Sequence, residues 1–265
     1  MNGVNKTLYI PLYGKAYVSR RGIILADKKA EEIWQAEGFV LKGKARSRWL
    51  AYYMAMRARV FDLWTEEILK AHPDAQVLHI GCGMDSRVLR VKEQAAAWFD
   101  VDFPEVIQER RRYFNENDSY RMLAGDARQT GWLSQVPDGL AAVVVMEGIS
   151  MYLAQPERKQ LMQALCRKYG RVYLLADYYT GLAVKTSRLK NPVHGVGVGK
   201  VFGLDDPLQE AEGTGMIYQG QPEMTPQPLV NELQGLERQL FRRLYAGRFA
   251  NKLYRLYAFC SQPHR

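Results

Sequence analysis

Three cysteines in 265 residues, at positions 82, 166 and 260, are too few and too scattered for a disulfide framework or a paired-cysteine metal clip. Cys82, Cys166 and Cys260 each sit in or beside an apolar segment, so reduced, buried thiols are expected and a metal site is not. No run of about 18 apolar residues exists, and a transmembrane helix is therefore excluded. The opening residues Met1-Asn2-Gly3-Val4-Asn5-Lys6 lack the charged-then-apolar order of a secretion signal, so a cytoplasmic location is expected. Internal repeats, low-complexity tracts and Gly/Ser/Pro-rich linkers are missing too, which favours one domain over residues 1–265. What is present is ordinary: 47% apolar and 25% charged residues, the balance of a globular chain with a sizeable core.

The formal charge of +9 raises nucleic acid as a partner. Its basic clusters are Lys42, Lys44, Arg46 and Arg48, then Arg110 to Arg112, then Arg242 and Arg243. Acidic residues Glu105, Glu109 and Glu237 alternate with the second and third clusters. Solvated helix faces account for this pattern without nucleic acid, which is not an expected partner.

Residues 1–75 read as a helical cap. Within 45–71, Trp49, Tyr53, Met56, Val60, Leu63, Trp64 and Ile68 recur at three- and four-residue steps. His72-Pro73-Asp74 ends that pattern, because proline disfavours helical geometry at the residue before it. Short apolar runs then alternate with helical segments: 77–80, 98–101, 121–124, 141–146 and 172–176. Alternation of this kind implies βαβ units and a parallel sheet covered on both faces, here over a core of 76–179. From Thr180 to Gly199 the rhythm is lost, and the spacing predicts a loop within a lid or substrate-facing insertion at 180–214. A strand at 215–219, a helix at 226–245 and a strand at 253–260 complete a seven-stranded, mostly parallel α/β sheet.

The strongest local signal is Val77-Leu78-His79-Ile80-Gly81-Cys82-Gly83-Met84-Asp85, a strand running into Gly-x-Gly before a helix. Gly81 and Gly83 let the backbone turn sharply and lie against a ligand without a Cβ in the way. The third glycine of a dinucleotide fingerprint is replaced by Ser86, which weakens a nicotinamide reading. Adenosylmethionine carries no phosphate and does not need that glycine. Asp102 stands at the end of the next run, where a carboxylate can bind both ribose hydroxyls; Asp100 is the reserve on the same face. Capping of the following helix is a second role open to Asp102. Gly125-Asp126-Ala127 ends the third run, with Asp126 and Ala127 placed for an adenine, and Glu147 ends the fourth. Four successive strand ends thus bear Gly, Asp, Asp and Glu, at the edge where open α/β sheets bind ligands.

With these residues in view, the chain resembles the leucine carboxyl methyltransferase-like family, especially its bacterial branch of polyketide O-methyltransferases. The resemblance spans most of the chain. It rests on Thr7-Leu8-Tyr9-Ile10-Pro11-Leu12-Tyr13-Gly14-Lys15-Ala16 and on Asp27-Lys28-Lys29-Ala30-Glu31. Further along it rests on Gly81 to Arg87, on Phe99-Asp100-Val101-Asp102-Phe103-Pro104, and on Glu147-Gly148-Ile149-Ser150-Met151-Tyr152-Leu153. It implies a Rossmann-like class I methyltransferase fold, S-adenosylmethionine as cofactor and a small-molecule acceptor. It also implies a cofactor set of Lys15, Arg57, Gly81, Asp102, Asp126, Ala127 and Glu147. Arg57 matches the arginine that pairs with the methionine carboxylate, and Arg59 competes for that role. The forked guanidinium of an arginine suits a carboxylate independently of any resemblance.

A carboxylate acceptor would need no general base, whereas a hydroxyl acceptor would profit from one. His194, in the expected lid, is the candidate base, and Tyr152, Tyr178 and Tyr179 are candidates for the acceptor wall. Action on a protein C-terminus or an RNA base, and cofactor binding without catalysis, are the competing readings.

Overall fold

The computed structural model describes residues 3–38, 41, 43–190, 200–247 and 250–261. Helices α1 (Gly3–Arg20), α2 (Lys28–Glu37) and α3 (Arg48–Ala71) come first, and α2 and α3 both pack on α1. The Asp27 carboxylate caps α2 by accepting the Ala30 N–H at 2.8 Å, and Gly38 closes it in the left-handed region. Helix α3 stops at His72, before the Pro73 that cannot continue it.

Seven strands follow: β1 (Gln76–Ile80), β2 (Ala97–Asp102), β3 (Tyr120–Ala124), β4 (Ala141–Met146), β5 (Arg171–Tyr179), β6 (Met216–Gly220) and β7 (Tyr254–Ser261). They form one sheet in the order β3-β2-β1-β4-β5-β7-β6. Strands β1 to β5 are parallel, and β7 runs antiparallel to both its neighbours. Between them lie α4 (Arg87–Arg90), α5 (Pro104–Arg110), α6 (Gln155–Lys168), α7 (Gly181–Lys190), α8 (Pro207–Ala211), α9 (Gln227–Asn231), α10 (Gly235–Leu244) and α11 (Ala250–Leu253).

Strand alternation divides the core. Leu78, Phe99, Val144 and Leu174 face α6 with Leu161 and Leu165. Val77 and Val143 face the helical cap with Leu12 and Leu69, and Val145 and Leu175 face it with Tyr52 and Phe61. All six residues of β4 are buried, as its unbroken apolar run requires of a central strand. Among the described residues no helix is long and apolar enough to cross a membrane.

Three expectations need correction. Residues 181–190 form helix α7 rather than a loop, because Thr180 accepts the Ala183 N–H at 3.2 Å as its N-cap. The helix expected over 226–245 is two, α9 and α10, parted where Gly235 takes a φ of +50°. Arg110, read as part of a solvated face, is fully buried against Asp100.

Candidate active site

The carboxyl ends of β1, β2 and β4 open onto a cavity of about 330 Å³ roofed by α1 and α3. Strand β1 leaves the sheet at Gly81, whose φ of +70° is reached without strain only by glycine. A Cβ on Gly81 would sit inside the radius of Ile149 Cγ2, so the bend also depends on the missing side chain. The N–H groups of Gly81 and Cys82 donate to the Val101 carbonyl at 2.7 and 3.3 Å, tying the bend to β2.

Asp102 ends β2 on the cavity wall. One carboxylate oxygen accepts the Gly83 N–H at 2.8 Å and the other the Phe103 N–H at 2.8 Å. Burial pushes its carboxyl up to about 6, against the lowering effect of those two donors and of Arg110. The cap position of α5 falls on Phe103 rather than Asp102. Asp100 lies deeper, wholly buried, and accepts from Trp98 Nε1 at 3.0 Å and the Tyr120 hydroxyl at 2.6 Å, as well as from Arg110. It is bound up in the core and does not line the cavity.

Glu147, just past β4, faces the same cavity. It accepts Arg57 Nε at 2.9 Å and also Arg87 Nη2. Burial raises its carboxyl, but the two arginines outweigh this and hold it below its ordinary value. Lys15 enters from α1 and pairs with Asp85 at 2.8 Å. Arg57 enters from α3 and lines the cavity, whereas Arg59 lies outside the lining, 3.7 Å from Glu66. A second hollow of about 140 Å³ adjoins, sharing Gly81, Asp102, Phe103, Ile149 and Tyr152 with the first. Asp126 and Ala127 line it, and Asp126 is held by Arg128 Nη2 at 2.6 Å.

Several residues at the site were not anticipated. His79 lies on the wall between Arg87 Nη1 and Asp100 Oδ1, each 3.1 Å away. Arginine can only donate, so His79 Nε2 accepts and Nδ1–H donates: the ring is neutral, and burial lowers its affinity for a second proton. Behind it Arg87 and Arg90 bind Asp62 at 2.8 Å each, and Arg90 also reaches Asp27 at 2.7 Å. Asp177, from β5, and Tyr254, from β7, both bind Arg57, and Tyr254 lines the cavity with it. The close spacing of Asp85, Arg87 and Arg90 is a local hint of this network; its remaining partners lie far apart in sequence.

Tyr152 and Tyr179 line the main cavity beside Leu50, Met54 and Met151. Tyr178 points to the other face of the sheet, against Tyr257 and Arg158, and is no part of the acceptor wall. His194 lies outside the described residues. Cys82, Cys166 and Cys260 are buried and form no disulfide among the described residues.

The residues present suit adenosylmethionine by their own chemistry: a glycine bend, a carboxylate at the end of the next strand, and the cations Lys15 and Arg57 lining the same cavity. Comparison with known proteins agrees. Residues 12–166 match the family model described as leucine carboxyl methyltransferase. The chain is 29% identical over 261 residues to the tetracenomycin polyketide synthesis O-methyltransferase TcmP of Streptomyces glaucescens, covering 96% of this chain and 97% of that one. It is 26% identical over 242 residues to the S-adenosyl-L-methionine-dependent methyltransferase dpfgK of Gibberella zeae, covering 82% and 81%. Among solved structures, magnesium protoporphyrin IX methyltransferase of Synechocystis with bound S-adenosylhomocysteine is similar at a TM-score of 0.52 and 10% identity, over 88% of this chain and 93% of that one. A DUF574 family protein of Streptomyces avermitilis reaches 0.56 at 12% identity, over 90% and 91%. These two likenesses speak for the fold alone. Glycine bend, acidic strand ends and matched sequence converge: the chain is an S-adenosylmethionine-dependent methyltransferase and belongs to the leucine carboxyl methyltransferase family.

Proposed function

We propose that the protein transfers a methyl group to an oxygen of a small acceptor bound against Leu50, Met54, Tyr152 and Tyr179. The observation that carries this reading is the convergence of Asp102 and Glu147 with Gly81 on one cavity that also holds Lys15 and Arg57 and an apolar, aromatic stretch of wall. Bound S-adenosylmethionine supplies a methyl group already activated by its sulfonium. Asp102 would receive the ribose hydroxyls, Asp126 and Ala127 the adenine, and Lys15, Arg57 and Glu147 the amino-acid tail. The protein's remaining task is to align the acceptor oxygen and exclude water, which the roof of α1 and α3 serves.

The lining favours an acceptor that is ionised before it binds. Both nitrogens of His79 are engaged, and Glu147 is held by two arginines, so neither is free to take a proton. A carboxylate needs no such base. The tyrosine and methionine wall suits a flat apolar body behind the reacting oxygen, and the likeness to the polyketide O-methyltransferase of Streptomyces glaucescens supports the same class. Calorimetry with S-adenosylmethionine tests the first half: micromolar-range binding that Asp102→Ala and Arg57→Ala both weaken. Turnover on a panel of aromatic acids and phenols tests the second. No cofactor binding by the intact protein would refute the whole reading.

A further inference from the structure

Buried arginines in this molecule follow a rule. Arg87 bonds through Nε to Asp62, through Nη1 to His79 and through Nη2 to Glu147. Arg90 uses Nε and Nη2 on Asp62 and Nη1 on Asp27. Arg110 uses its three nitrogens on Tyr120, Gly83 and Asp100, and Arg158 places two on Glu210 and one on the Leu153 carbonyl. Each has all three nitrogens engaged, as suits a structural guanidinium.

Arg57 breaks the rule. Its Nε donates to Glu147 at 2.9 Å, and its Nη1 donates to Asp177 at 2.9 Å and to the Tyr254 hydroxyl at 2.8 Å. Its Nη2 makes no hydrogen bond among the described residues, although the residue lines the cavity. Two edges are fastened and the third is left bare.

The fastening is itself braced. The Tyr254 hydroxyl donates to Asp177 Oδ2 at 2.7 Å, closing a triangle with Nη1. Asp177 Oδ1 accepts the Gly148 N–H at 2.7 Å, which ties the same carboxylate to the turn after β4. Gly148 holds a φ of +78°, and a Cβ there would lie 3.5 Å from Nη2, closer to it than to any other Arg57 atom. A side chain at 148 would therefore cover the edge that is open. Three separate pieces of chain, β5, β7 and the β4 turn, converge on one guanidinium and spare one side of it.

We propose that Asp177, Tyr254 and Gly148 are positioning residues that aim the Nη2 edge of Arg57 at the carboxylate of the cofactor's amino-acid tail. This rests on the reading of Arg57 as the tail's cationic partner. An unbraced arginine must lose side-chain freedom when it meets its ligand; here that loss is taken during folding, and binding is stronger for it. Glu147 and Asp177 also keep the guanidinium from swinging into the acceptor space.

The test uses two ligands on the full chain: S-adenosylhomocysteine, which has the amino-acid tail, and 5′-methylthioadenosine, which does not. Calorimetry should show Tyr254→Phe weakening S-adenosylhomocysteine by about tenfold while 5′-methylthioadenosine stays within about twofold of wild type. Asp177→Asn should show the same split, more strongly. Should the buried Asp177→Asn change prevent folding, Tyr254→Phe, which removes one hydroxyl and keeps the ring, decides alone. Equal loss of both ligands would mean a merely structural role and overturns the proposal, as would unchanged affinity for both. Arg57→Lys separates the two levels: if it weakens only S-adenosylhomocysteine while Tyr254→Phe does nothing, the positioning claim falls and the functional reading stands. Failure of wild type to bind S-adenosylhomocysteine would overturn both.

Discussion

At Asp102 a carboxylate is held where its charge is least welcome and most useful. Burial pushes it up to about 6, so near neutral pH it is ionised yet poorly solvated, and the ribose hydroxyls proposed to meet it would restore what water no longer supplies. A raised value means that the receptive, ionised form is lost as pH falls through it. Cofactor affinity should thus be flat above pH ~7 and decline by about tenfold per unit well below pH ~6. Calorimetry across pH 5 to 8 reads this, and Asp102→Asn should flatten the profile as well as weaken binding. Gly81 sets a different kind of limit. Gly81→Ala adds both a left-handed strain of about 1–2 kcal/mol and a collision with Ile149, so a lower melting temperature should accompany loss of cofactor binding. An alanine variant that kept wild-type affinity and melting behaviour would show that Ile149 moves aside freely.

Secondary elements were legible in proportion to how local their causes are. The apolar run at 141–146 maps residue for residue onto β4, and Pro73 marks the end of α3, because period and proline act within a few residues. Helix α7 was missed because its start depends on Thr180, whose cap looks in sequence like any threonine beside a glycine. The break before α10 was missed although Gly235 was visible, since an isolated glycine inside a helical pattern is usually tolerated. Among site residues, Gly81, Asp102 and Glu147 could be read because each ends a strand of the same sheet. Asp177 and Tyr254 could not: their meaning lies in a partner 120 and 197 residues away. The Thr180 cap offers a local test. Its hydroxyl also donates to the Lys252 carbonyl at 2.6 Å, fastening α7 to α11. Thr180→Val should cost about 1–2 kcal/mol and speed amide hydrogen exchange in the first turn of α7 before any other part of the chain.

Taken whole, the molecule is basic outside and densely paired within. Asp62, Asp85 and Glu147 are all held below their ordinary values by Arg57, Arg87, Arg90 and Lys15. Groups depressed in this way stabilise the fold above the unfolded carboxylate range near pH ~4, and their contribution disappears as pH falls through the lower folded values. Unfolding should therefore set in below pH ~4 and be followed by circular dichroism. Arg87→Leu should bring that transition to higher pH and lower stability at neutrality by about 3–5 kcal/mol, because it removes the buried cation that Asp62 and Glu147 share and leaves each with one arginine, Arg90 and Arg57 respectively. A variant as acid-resistant as wild type would show the network to be dispensable.

Strand β7 lies between β5 and β6 in the sheet, yet follows both in the chain. Once β6 has been made and until β7 follows, an emerging polypeptide would have a gap in that sheet, with β6 lacking its neighbour among the described residues and Arg57 lacking the tyrosine that β7 brings. Assembly of the ligand-ready state must then wait for β7, so products truncated before residue 254 should be both weakened in binding the cofactor's amino-acid tail and prone to clump through the bare edges of β5 and β6.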